Sequence, residues 1–362
     1  MPELRAKIFA PARDPLWSAI AAVTVSLVLS FLAIASTGRD PLAGFGYLIS
    51  GALGGPGPFG ETAIKSAVLI LTGLSVAVAF TVGLFNIGAE GQLIWGGLAA
   101  AVAGRVCPWP LCLCAAAAAG AVWGFLPGVL KVRRGVHEVI STILLNWIAI
   151  HLVHGWLVAG PLAAGGTASI SVAGTEPIER AAWLPRFFSQ SRLDVGFPLA
   201  LIVAAGIWFL LTRTSRGFEW RAVGAGQEAA RAAGIPAGRR ICEAMALSGA
   251  LAGLAGGLLI LGTEHKYPGV FRTGYGFDGI AVALVGGGTA AGTALAGIFF
   301  GAIRAGATRL QLVGIHPSFA ELIQGMAVLL VAAPRIFQPL FAKLRPTPQP
   351  AASTTPVPTV QP

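Results

Sequence analysis

The chain has 362 residues, of which 55% are hydrophobic and only 11% are charged, and its mean hydropathy is +0.75. An ordinary soluble domain carries about a quarter charged residues, so this composition excludes a water-soluble protein and indicates a surface that mostly faces lipid. The formal net charge of +10 is interpreted first as a sign of membrane topology, and binding of nucleic acid or of an anionic substrate is the weaker interpretation.

Uncharged apolar runs of roughly the length that a bilayer requires recur along the chain. Crossing the hydrocarbon core as a helix takes about 20 residues, and small residues inside such helices allow close packing in lipid. The runs are Trp17 to Ala35, Ser66 to Phe85, Leu111 to Leu130, Val195 to Thr212, Ala244 to Thr263 and Gly279 to Ile303. They predict an all-α integral membrane protein with about ten (eight to ten) transmembrane helices.

The distribution of Lys and Arg predicts the orientation, because positively charged segments resist translocation. With ten crossings and both termini in the cytoplasm, most Lys and Arg residues fall in cytoplasmic segments. This topology divides the chain into a cytoplasmic N-terminus (1–16), a transmembrane domain (17–335) and a Pro-rich tail (345–362), which we expect to be disordered. Within the domain, residues 159–196 form a periplasmic loop and residues 213–243 a cytoplasmic loop.

The N-terminus is basic and then apolar, a pattern that also occurs in cleavable signal peptides. Its apolar run is longer than the roughly 7 to 15 residues of the hydrophobic region of a signal peptide. We therefore expect a retained first helix.

The stretch GLFNIGAEGQ (83–92) combines three glycines with Asn86, Glu90 and Gln92. From there to Gly104 only about 14 residues remain, or about 21 Å of helix, which is too short for a core of about 30 Å. We therefore predict a broken helix near residues 83–92, whose polar side chains satisfy freed backbone groups or face a cavity. The alternative is that Asn86 and Glu90 only cap helix ends at the cytoplasmic surface.

The stretch HEVISTILLNW (137–147) opens a helix with Glu138 in its first turn. Glu138, Thr142 and Asn146 recur at a four-residue spacing and lie on nearly one face of that helix. Lipid would not satisfy such a polar stripe, so we expect it to face other helices or a transport pathway. A favourable interaction with the helix dipole is the alternative interpretation of Glu138.

The cytoplasmic loop contains RAVGAGQEAARAAGIPAGRR (221–240), which is too long for a simple connection between helices. Residues 227–233 are predicted to form a short helix that ends at Gly234 and Pro236. An Ala-rich helix with exposed charged side chains is suited to docking on another protein. A surface helix that only lies along the membrane is the alternative.

The four cysteines, Cys107, Cys112, Cys114 and Cys242, are too few to define a disulfide framework. A bridge between Cys107 and Cys112 or a metal site is conceivable. Small packed side chains are the favoured interpretation, and no metal site is predicted.

Four segments occur in the order found in a known family: FNIGAEGQ, EVISTILLNWIA, RAVGAGQEAARAAGI and GYGFDGIAVALVGGG. The chain resembles the permease components of nucleoside ABC importers, the guanosine and simple-sugar branch of a larger family that includes ribose and branched-chain amino acid permeases. The resemblance covers roughly residues 15–340. It departs where Gly226-Gln227 stands in place of the usual Asn-Pro.

This resemblance implies a permease subunit of an ATP-driven, binding-protein-dependent importer in a bacterial inner membrane, with nucleosides as the expected substrate. It implies a heterodimer with a second, unlike permease, an ABC ATPase subunit and a periplasmic or lipoprotein substrate-binding protein. The residues that match the signature near the translocation pathway are Phe85, Asn86, Glu90 and Gln92, to which we add the polar stripe Glu138, Thr142 and Asn146. The residues that match the segment seated in the ATPase are Gly224, Glu228, Ala229, Ala230, Arg231 and Gly234.

The energy source must lie in another chain, because the sequence has no G-x-x-x-x-G-K-[ST] phosphate-binding loop. We therefore expect this chain to bind no cofactor, no metal and no nucleic acid and to have no enzymatic activity. ATP and Mg²⁺ would be used by the partner ATPase.

Two other classes of function stay open. A stand-alone ion-coupled secondary transporter would need intramembrane carboxylates, for which the candidates are Glu90, Glu138, Asp278 and Glu321. A membrane-embedded enzyme would need a catalytic constellation, and the sequence has neither HExxH nor GxSxG. Within ABC permeases, sugars and branched-chain amino acids are the alternative substrates.

Overall fold

A computed structural model describes residues 15–36, 38–164, 174–188, 190–271, 274–316 and 318–332. Within these ranges the regular structure is helical, and extended chain pairs only in two isolated β-bridges. The all-α class predicted from the composition is confirmed. The predicted cytoplasmic N-terminus up to residue 14 and the predicted disordered tail (345–362) lie outside the described residues.

The described part of the chain contains thirteen α-helices. In chain order they are α1 (Pro15–Ser36), α2 (Pro41–Leu53), α3 (Pro56–Thr81), α4 (Ala89–Ala103), α5 (Trp109–Arg134), α6 (Glu138–Ile150), α7 (Gly196–Arg213), α8 (Ser215–Ala225), α9 (Gln227–Ala232), α10 (Ala237–Leu259), α11 (Tyr275–Val285), α12 (Ala290–Leu310) and α13 (Ser318–Ala332). Helix α6 continues as a π-helix over His151–Val158, and α10 does so over Ile260–Glu264. Single 3₁₀ turns occur at Arg180–Ala182 and Gln311–Val313.

Six helices in the described ranges are long and apolar enough to cross a membrane: α3, α5, α7, α12, and α6 and α10 with their π-helical extensions. This is fewer than the ten or so predicted from the sequence. The difference arises because α2, α4, α11 and α13 have only 13, 15, 11 and 15 residues, which is too short to cross a bilayer core alone.

The long apolar run Gly279 to Ile303 is divided in the structure. Helix α11 ends at Val285, and the turn that follows has Gly287 and Gly288 at φ +64° and +67°, a region that glycine adopts readily. Helix α12 then begins behind Thr289, whose hydroxyl accepts a hydrogen bond from the N–H of Gly292 at 3.1 Å. Hydropathy alone could not locate this break, because glycine interrupts a helix without adding charge.

Helix α10 packs on α4 and α5 through glycines. A β-carbon built on Gly253 would lie 2.3 Å from the carbonyl oxygen of Ala116, and one built on Gly249 would lie 2.1 Å from that of Gly120. Helix backbones approach this closely where small residues recur at four-residue spacing, as in membrane proteins. The glycine-rich composition therefore serves helix packing.

The bundle has two ends, which we name by their contents. The α8–α9 end contains α8, α9, the C-terminus of α3 and the first residues of α6 and α10, brought together by contacts such as that of Gly224 with Thr81. The opposite end contains residues 174–188 and 190–195 and the chain that follows α10, joined by hydrogen bonds such as Thr175 N–H to the Tyr267 carbonyl at 2.9 Å.

All four cysteines are free thiols. Cys112 is buried, and its thiol donates to the carbonyl oxygen of Cys107 at 3.3 Å, so these two residues form no disulfide bridge. Cys114 is exposed. Small packed side chains, the interpretation favoured from the sequence, therefore describe Cys112 but not Cys114.

Candidate functional site

The helical chain is interrupted between α3 and α4, at residues 82–88. Helix α3 ends at Thr81, and Gly83 follows with φ +76°, which favours glycine at that position. A β-carbon on Gly83 would lie 3.4 Å from the carbonyl oxygen of Gly224 in α8. The broken helix predicted from GLFNIGAEGQ is observed, and it begins at the α8–α9 end.

Helices α4 and α11 are shorter than a bilayer core and begin side by side in the interior. They have 15 and 11 residues, or about 22 and 16 Å, against a bilayer core of about 30 Å. A β-carbon on Gly276 would lie 2.2 Å from the backbone nitrogen of Glu90, so the two N-termini are in contact. From there α4 runs to the opposite end, where Gly104 packs against Ile178, and α11 runs to the α8–α9 end.

The buried carboxylate of Glu90 joins these two N-termini. It lies in the first turn of α4 and accepts hydrogen bonds from the N–H groups of Gly274 at 3.0 Å and Gly276 at 2.7 Å, at the start of α11. Helix N-termini carry partial positive charge, which a carboxylate stabilises. Glu90 does cap a helix, but it does so in the bundle interior and not at the surface.

A buried amide network holds the interruption in place. Asn86 accepts from the N–H of Gly88 at 2.9 Å and donates to the side-chain oxygen of Gln92 at 2.9 Å and to Ser248 of α10 at 2.7 Å. Ser248 in turn donates to the carbonyl oxygen of Ser75 in α3 at 2.6 Å. Backbone groups that leave a helix inside a membrane must find such partners, so the network stabilises the broken segment against α3 and α10.

Two residues of the polar stripe of α6, Thr142 and Asn146, face the same interruption. Asn146 accepts from the N–H of Gly91 at 2.9 Å and donates to the carbonyl oxygen of Ile87 at 2.8 Å. Thr142 is buried and bonds its own helix backbone, at the Glu138 carbonyl. The prediction that this stripe faces another part of the protein and not lipid is confirmed.

Glu138 itself lies apart from the interior network. Its buried carboxylate pairs with Lys131 at 2.9 Å, which links the start of α6 to the end of α5 at the α8–α9 end. It is eight residues from Asn146, or about 12 Å along the helix. The geometry gives Glu138 a structural ion pair and places it outside the site around Glu90.

A cavity of about 270 Å³ lies over Glu90 and Asn146. Its other lining residues are Ile94, Ile143, Trp147, Ile150, Gly274 and Phe277. We call it the Glu90 cavity. Its lining is mostly apolar, with Glu90 and Asn146 as the two polar residues, a composition that small-molecule sites share. Among the described residues, no group of three or more His, Cys, Asp or Glu could hold a metal ion.

The remaining predicted pathway residues do not line this cavity. Phe85 is half-buried against Phe80, with ring centroids 5.2 Å apart. Asn86 and Gln92 are engaged in the amide network, and Thr142 bonds its own helix. The structure therefore brings Glu90 and Asn146 to the cavity and places the others behind it.

The loop predicted to be cytoplasmic forms a separate unit at the α8–α9 end. The predicted short helix is α9, Gln227–Ala232, and Gly234 follows with φ +81°. Its residue Ala230 is buried, while the other five residues of the predicted docking set are exposed: Gly224, Glu228, Ala229, Arg231 and Gly234. A groove of about 520 Å³ lies between α8 and α9, lined by residues such as Phe218 and Ala229.

Ion pairs fasten this unit to α10. Arg240 of α10 pairs with Glu219 of α8 and with Glu243 one turn further along α10, the latter at 2.8 Å. Glu243 also pairs with Arg216 of α8 at 3.3 Å. Helix α8 is thus tied to the same helix that carries Ser248 of the amide network.

Two features of the site were not foreseen from the sequence. Ser248 is a single serine within an apolar run, and no sequence pattern distinguishes it. Its role becomes visible only through its contact with Asn86. Arg304 of α12 pairs with Asp278 of α11 and lies 4.0 Å from the centre of the Tyr275 ring. The signal that could have located this pair is a single Arg and a single Asp at the ends of the longest apolar run.

The comparisons identify the family. The model of a family described as branched-chain amino acid transport system / permease component matches residues 58–332. The chain belongs to this family. The permease is 38% identical to a guanosine ABC transporter permease protein of Bacillus subtilis, over 90% of this chain and 95% of that one. It is 31% identical to a nucleoside ABC transporter permease protein of Lactococcus lactis, over 90% and 92%.

A more distant similarity joins the permease to the ribose import permease protein of Escherichia coli, 26% identical over 65% of this chain and 71% of that one. No solved structure matches the permease significantly. It is a multi-pass membrane transport subunit, which agrees with the family expected from its motifs.

Proposed function

We propose that this permease is the membrane-spanning subunit of an ATP-driven, binding-protein-dependent importer of nucleosides. The observation that carries the proposal is the 38% identity to a guanosine ABC transporter permease over nearly the full length of both chains. The Glu90 cavity supports it, because a nucleoside needs both an apolar wall for its base and polar groups for its hydroxyls.

The pathway runs past the interruption between α3 and α4. Half-helices whose N-termini meet at the middle of the membrane are typical of transporter binding sites. Here the carboxylate of Glu90 already occupies the two N-termini, so an anionic substrate would be repelled there. A neutral solute such as a nucleoside or a sugar suits the site better.

The α8–α9 unit is the docking site for a separate ABC ATPase, which uses ATP and Mg²⁺. Five of its six proposed contact residues are exposed, and Ala230 anchors α9 to the rest of the chain. Movement of this unit reaches the pathway by two contacts. The ion pair between Glu219 and Arg240 transmits movement of α8 to α10, which carries Ser248. The backbone of Gly224 contacts Thr81 at the start of the interruption. ATP binding then exposes the cavity alternately to each side.

The assembly contains a second, unlike permease and a periplasmic or lipoprotein substrate-binding protein. Two different guanosine ABC transporter permeases of Bacillus subtilis are relatives of this chain, and so are two different nucleoside ABC transporter permeases of Lactococcus lactis. In the bacterial inner membrane the chain crosses about ten times with both termini in the cytoplasm. The six long helices supply six crossings, and the shorter helices complete the others.

Uptake of radiolabelled guanosine tests the proposal. The permease is expressed with its partner chains, with and without a substitution that abolishes ATP hydrolysis by the ATPase. We expect guanosine uptake that disappears with the ATPase lesion. Uptake that survives the lesion and follows a proton or sodium gradient would replace the proposal by the secondary transporter, and transport of ribose or branched-chain amino acids in place of guanosine would change the substrate class.

Docking is tested separately by crosslinking. A cysteine replaces Glu228 in a chain whose native cysteines have been removed, and a bifunctional reagent joins it to the ATPase. The matched control is a cysteine at Val106, which is highly exposed at the opposite end. Crosslinking from position 228 alone is expected, whereas equal yields from both positions, or none from 228, would contradict docking on α9.

A further inference from the structure

An ion pair lies at membrane depth on the outer side of α11. Asp278 of α11 pairs with Arg304 of α12, whose guanidinium lies over the ring of Tyr275 at 4.0 Å. The depth follows from α3, because the neighbouring Gly279 packs against Thr72 in the middle part of that 26-residue helix. Asp278, next to Gly279, therefore lies within the span of α3 and away from both of its ends.

The chain covers this pair only in part. The side chains of Asp278 and Arg304 are each 31% exposed, and Phe277 beside them is 48% exposed. Glu321 of α13 is also exposed and lies within electrostatic range of Asp278. We call these four residues the α11 face.

The outward-facing side chains of α5, α6 and α7 include large apolar residues. Phe125 of α5, Leu144 of α6 and Ile202 of α7 are exposed at 43%, 56% and 68%, and such side chains can lie directly against lipid. The α11 face cannot, because charged groups at this depth are costly in hydrocarbon and turn to other protein or to water.

The α11 face is continuous with the Glu90 cavity. Phe277 belongs to both, since it lines the cavity together with Glu90, Asn146 and Trp147. The cavity is open on that side, with Trp147 and Phe277 about half exposed at its mouth. One surface of the subunit thus combines a partly covered ion pair with the open side of the Glu90 cavity.

We propose that the α11 face is the contact surface for the second permease subunit, so that the Glu90 cavity lies between the two subunits. This inference rests on the proposed function, because a two-permease importer is what supplies that partner. The partner contributes a membrane helix with polar groups at the depth of Arg304 and Asp278. It completes the wall of the cavity, which becomes a path between the chains.

The test is photocrosslinking in the assembled complex, with both permeases, the ATPase and the binding protein coexpressed. The substitution Phe277→p-benzoylphenylalanine places a photoreactive group on the α11 face. Phe125→p-benzoylphenylalanine is the matched control, since it replaces the same residue type at similar exposure on α5. We expect a covalent adduct with the second permease from position 277, at least about tenfold above that from position 125.

The outcomes separate this inference from the proposed function. Adducts of position 277 with lipid alone, or with another copy of this chain, would overturn the inference, provided that the unsubstituted complex still takes up guanosine with ATP. Absence of the second permease from complexes that carry the unsubstituted chain would overturn the proposed assembly itself. If the variant at position 277 fails to assemble, Phe277→Cys with a sulfhydryl crosslinker to the second permease provides the same readout.

Discussion

The backbone of Gly224 lies directly against the carbonyl oxygen of Thr81. A β-carbon built on Gly224 would be 2.2 Å from that oxygen, closer than any side chain can approach without a shift. Gly224 is in α8, on the surface proposed to meet the ATPase, and Thr81 is the last residue of α3 before the interruption. The proposed docking unit therefore touches the broken helix by backbone contact.

Gly224→Ala should uncouple ATP hydrolysis from transport. Alanine favours helix by about 1 kcal/mol over glycine, but its methyl group must push α8 away from Thr81. We expect the rate of guanosine uptake to fall by about tenfold, which is about 1.4 kcal/mol on the limiting step, while the complex still hydrolyses ATP. Uptake and ATPase rates in proteoliposomes measure both.

Gly226→Ala is the matched control in the same segment. Gly226 has an extended backbone, at φ −179°, and the nearest atom to a new β-carbon is 3.8 Å away. Its uptake should stay within about twofold of the unsubstituted permease, a difference of less than about 0.5 kcal/mol. Equal losses in the two variants would show that the Thr81 contact is not the cause.

Glu90→Gln should impair transport and weaken the junction of α4 and α11. The carboxylate accepts from two N–H groups, whereas a glutamine amide offers one oxygen and turns its NH₂ group toward the other N–H. A buried donor left unsatisfied costs about 1–3 kcal/mol. We expect a lower unfolding temperature in detergent and at least a tenfold loss of uptake, about 1.4 kcal/mol or more.

Glu176→Gln controls for the removal of a negative charge, since Glu176 is exposed at the opposite end. It should leave the unfolding temperature and uptake unchanged. If Glu90→Gln behaved like this control, the hydrogen bonds from Gly274 and Gly276 would have no role in holding the half-helices together.

Gly253→Ala should disrupt the packing of α10 on α4 and α5. Its β-carbon would lie 2.3 Å from the Ala116 carbonyl oxygen, in a contact that backbone atoms cannot relieve. Overpacking of this kind costs about 1–3 kcal/mol. Thermal unfolding in detergent should show the loss.

Gly206→Ala in α7 is the control, because no atom lies within 4 Å of the new β-carbon. It should be neutral. A similar loss of stability in this variant would argue against tight packing as the cause.

Asp194→Asn should raise stability at neutral pH. Asp194 is buried in the loop before α7, and burial raises the pKa of its carboxyl above the ordinary value even though the N–H of Gly196 donates to it at 2.8 Å. A raised pKa means that the folded state favours the protonated form, so the free energy of unfolding falls as pH rises from the unfolded pKa, about 3.9, through the folded pKa.

The variant keeps the acceptor oxygen and removes the charge. Its unfolding temperature should therefore exceed that of the unsubstituted permease at pH 7. The difference should shrink as the pH falls toward about 3, below the unfolded pKa of about 3.9, where Asp194 is protonated in both the folded and the unfolded state. Unfolding temperatures across this pH range check the sign. A difference that grows on acidification would mean that a favourable ion pair, with Arg186 or Arg192, outweighs burial.

Much of the candidate site followed from local pattern. The interruption was predicted from two observations: the glycines Gly83, Gly88 and Gly91, and the stretch of only about 14 residues between the motif and Gly104. A helix of that length is too short for a membrane core, because each residue adds 1.5 Å. The four-residue spacing in α6 placed Thr142 and Asn146 on one buried face. The short helix α9 and its end at Gly234 followed from capping chemistry.

Other assignments depended on contacts between distant segments. The sequence grouped Glu138 with Asn146, but the structure pairs it with Lys131. The run Gly279 to Ile303 had the composition of one crossing, yet it is divided at Gly286–Gly288. Neither result can be predicted from the spacing of residues in the sequence, because the ion pair and the turn both depend on which helices pack against these segments.

The sequence by itself determined that the surface mostly faces lipid, that the fold is helical and which family the chain resembles. Each of these follows from composition or from the order of short motifs. The tertiary structure decided that Glu90 binds the N-terminus of α11, that Ser248 joins the amide network, and that Arg304 and Asp278 share one face. The physical reason is that hydrophobic and helical periodicities are local. The partner of a buried polar group is chosen by helix packing and can lie far away in the sequence, 184 positions for Glu90 and Gly274 and 162 for Asn86 and Ser248.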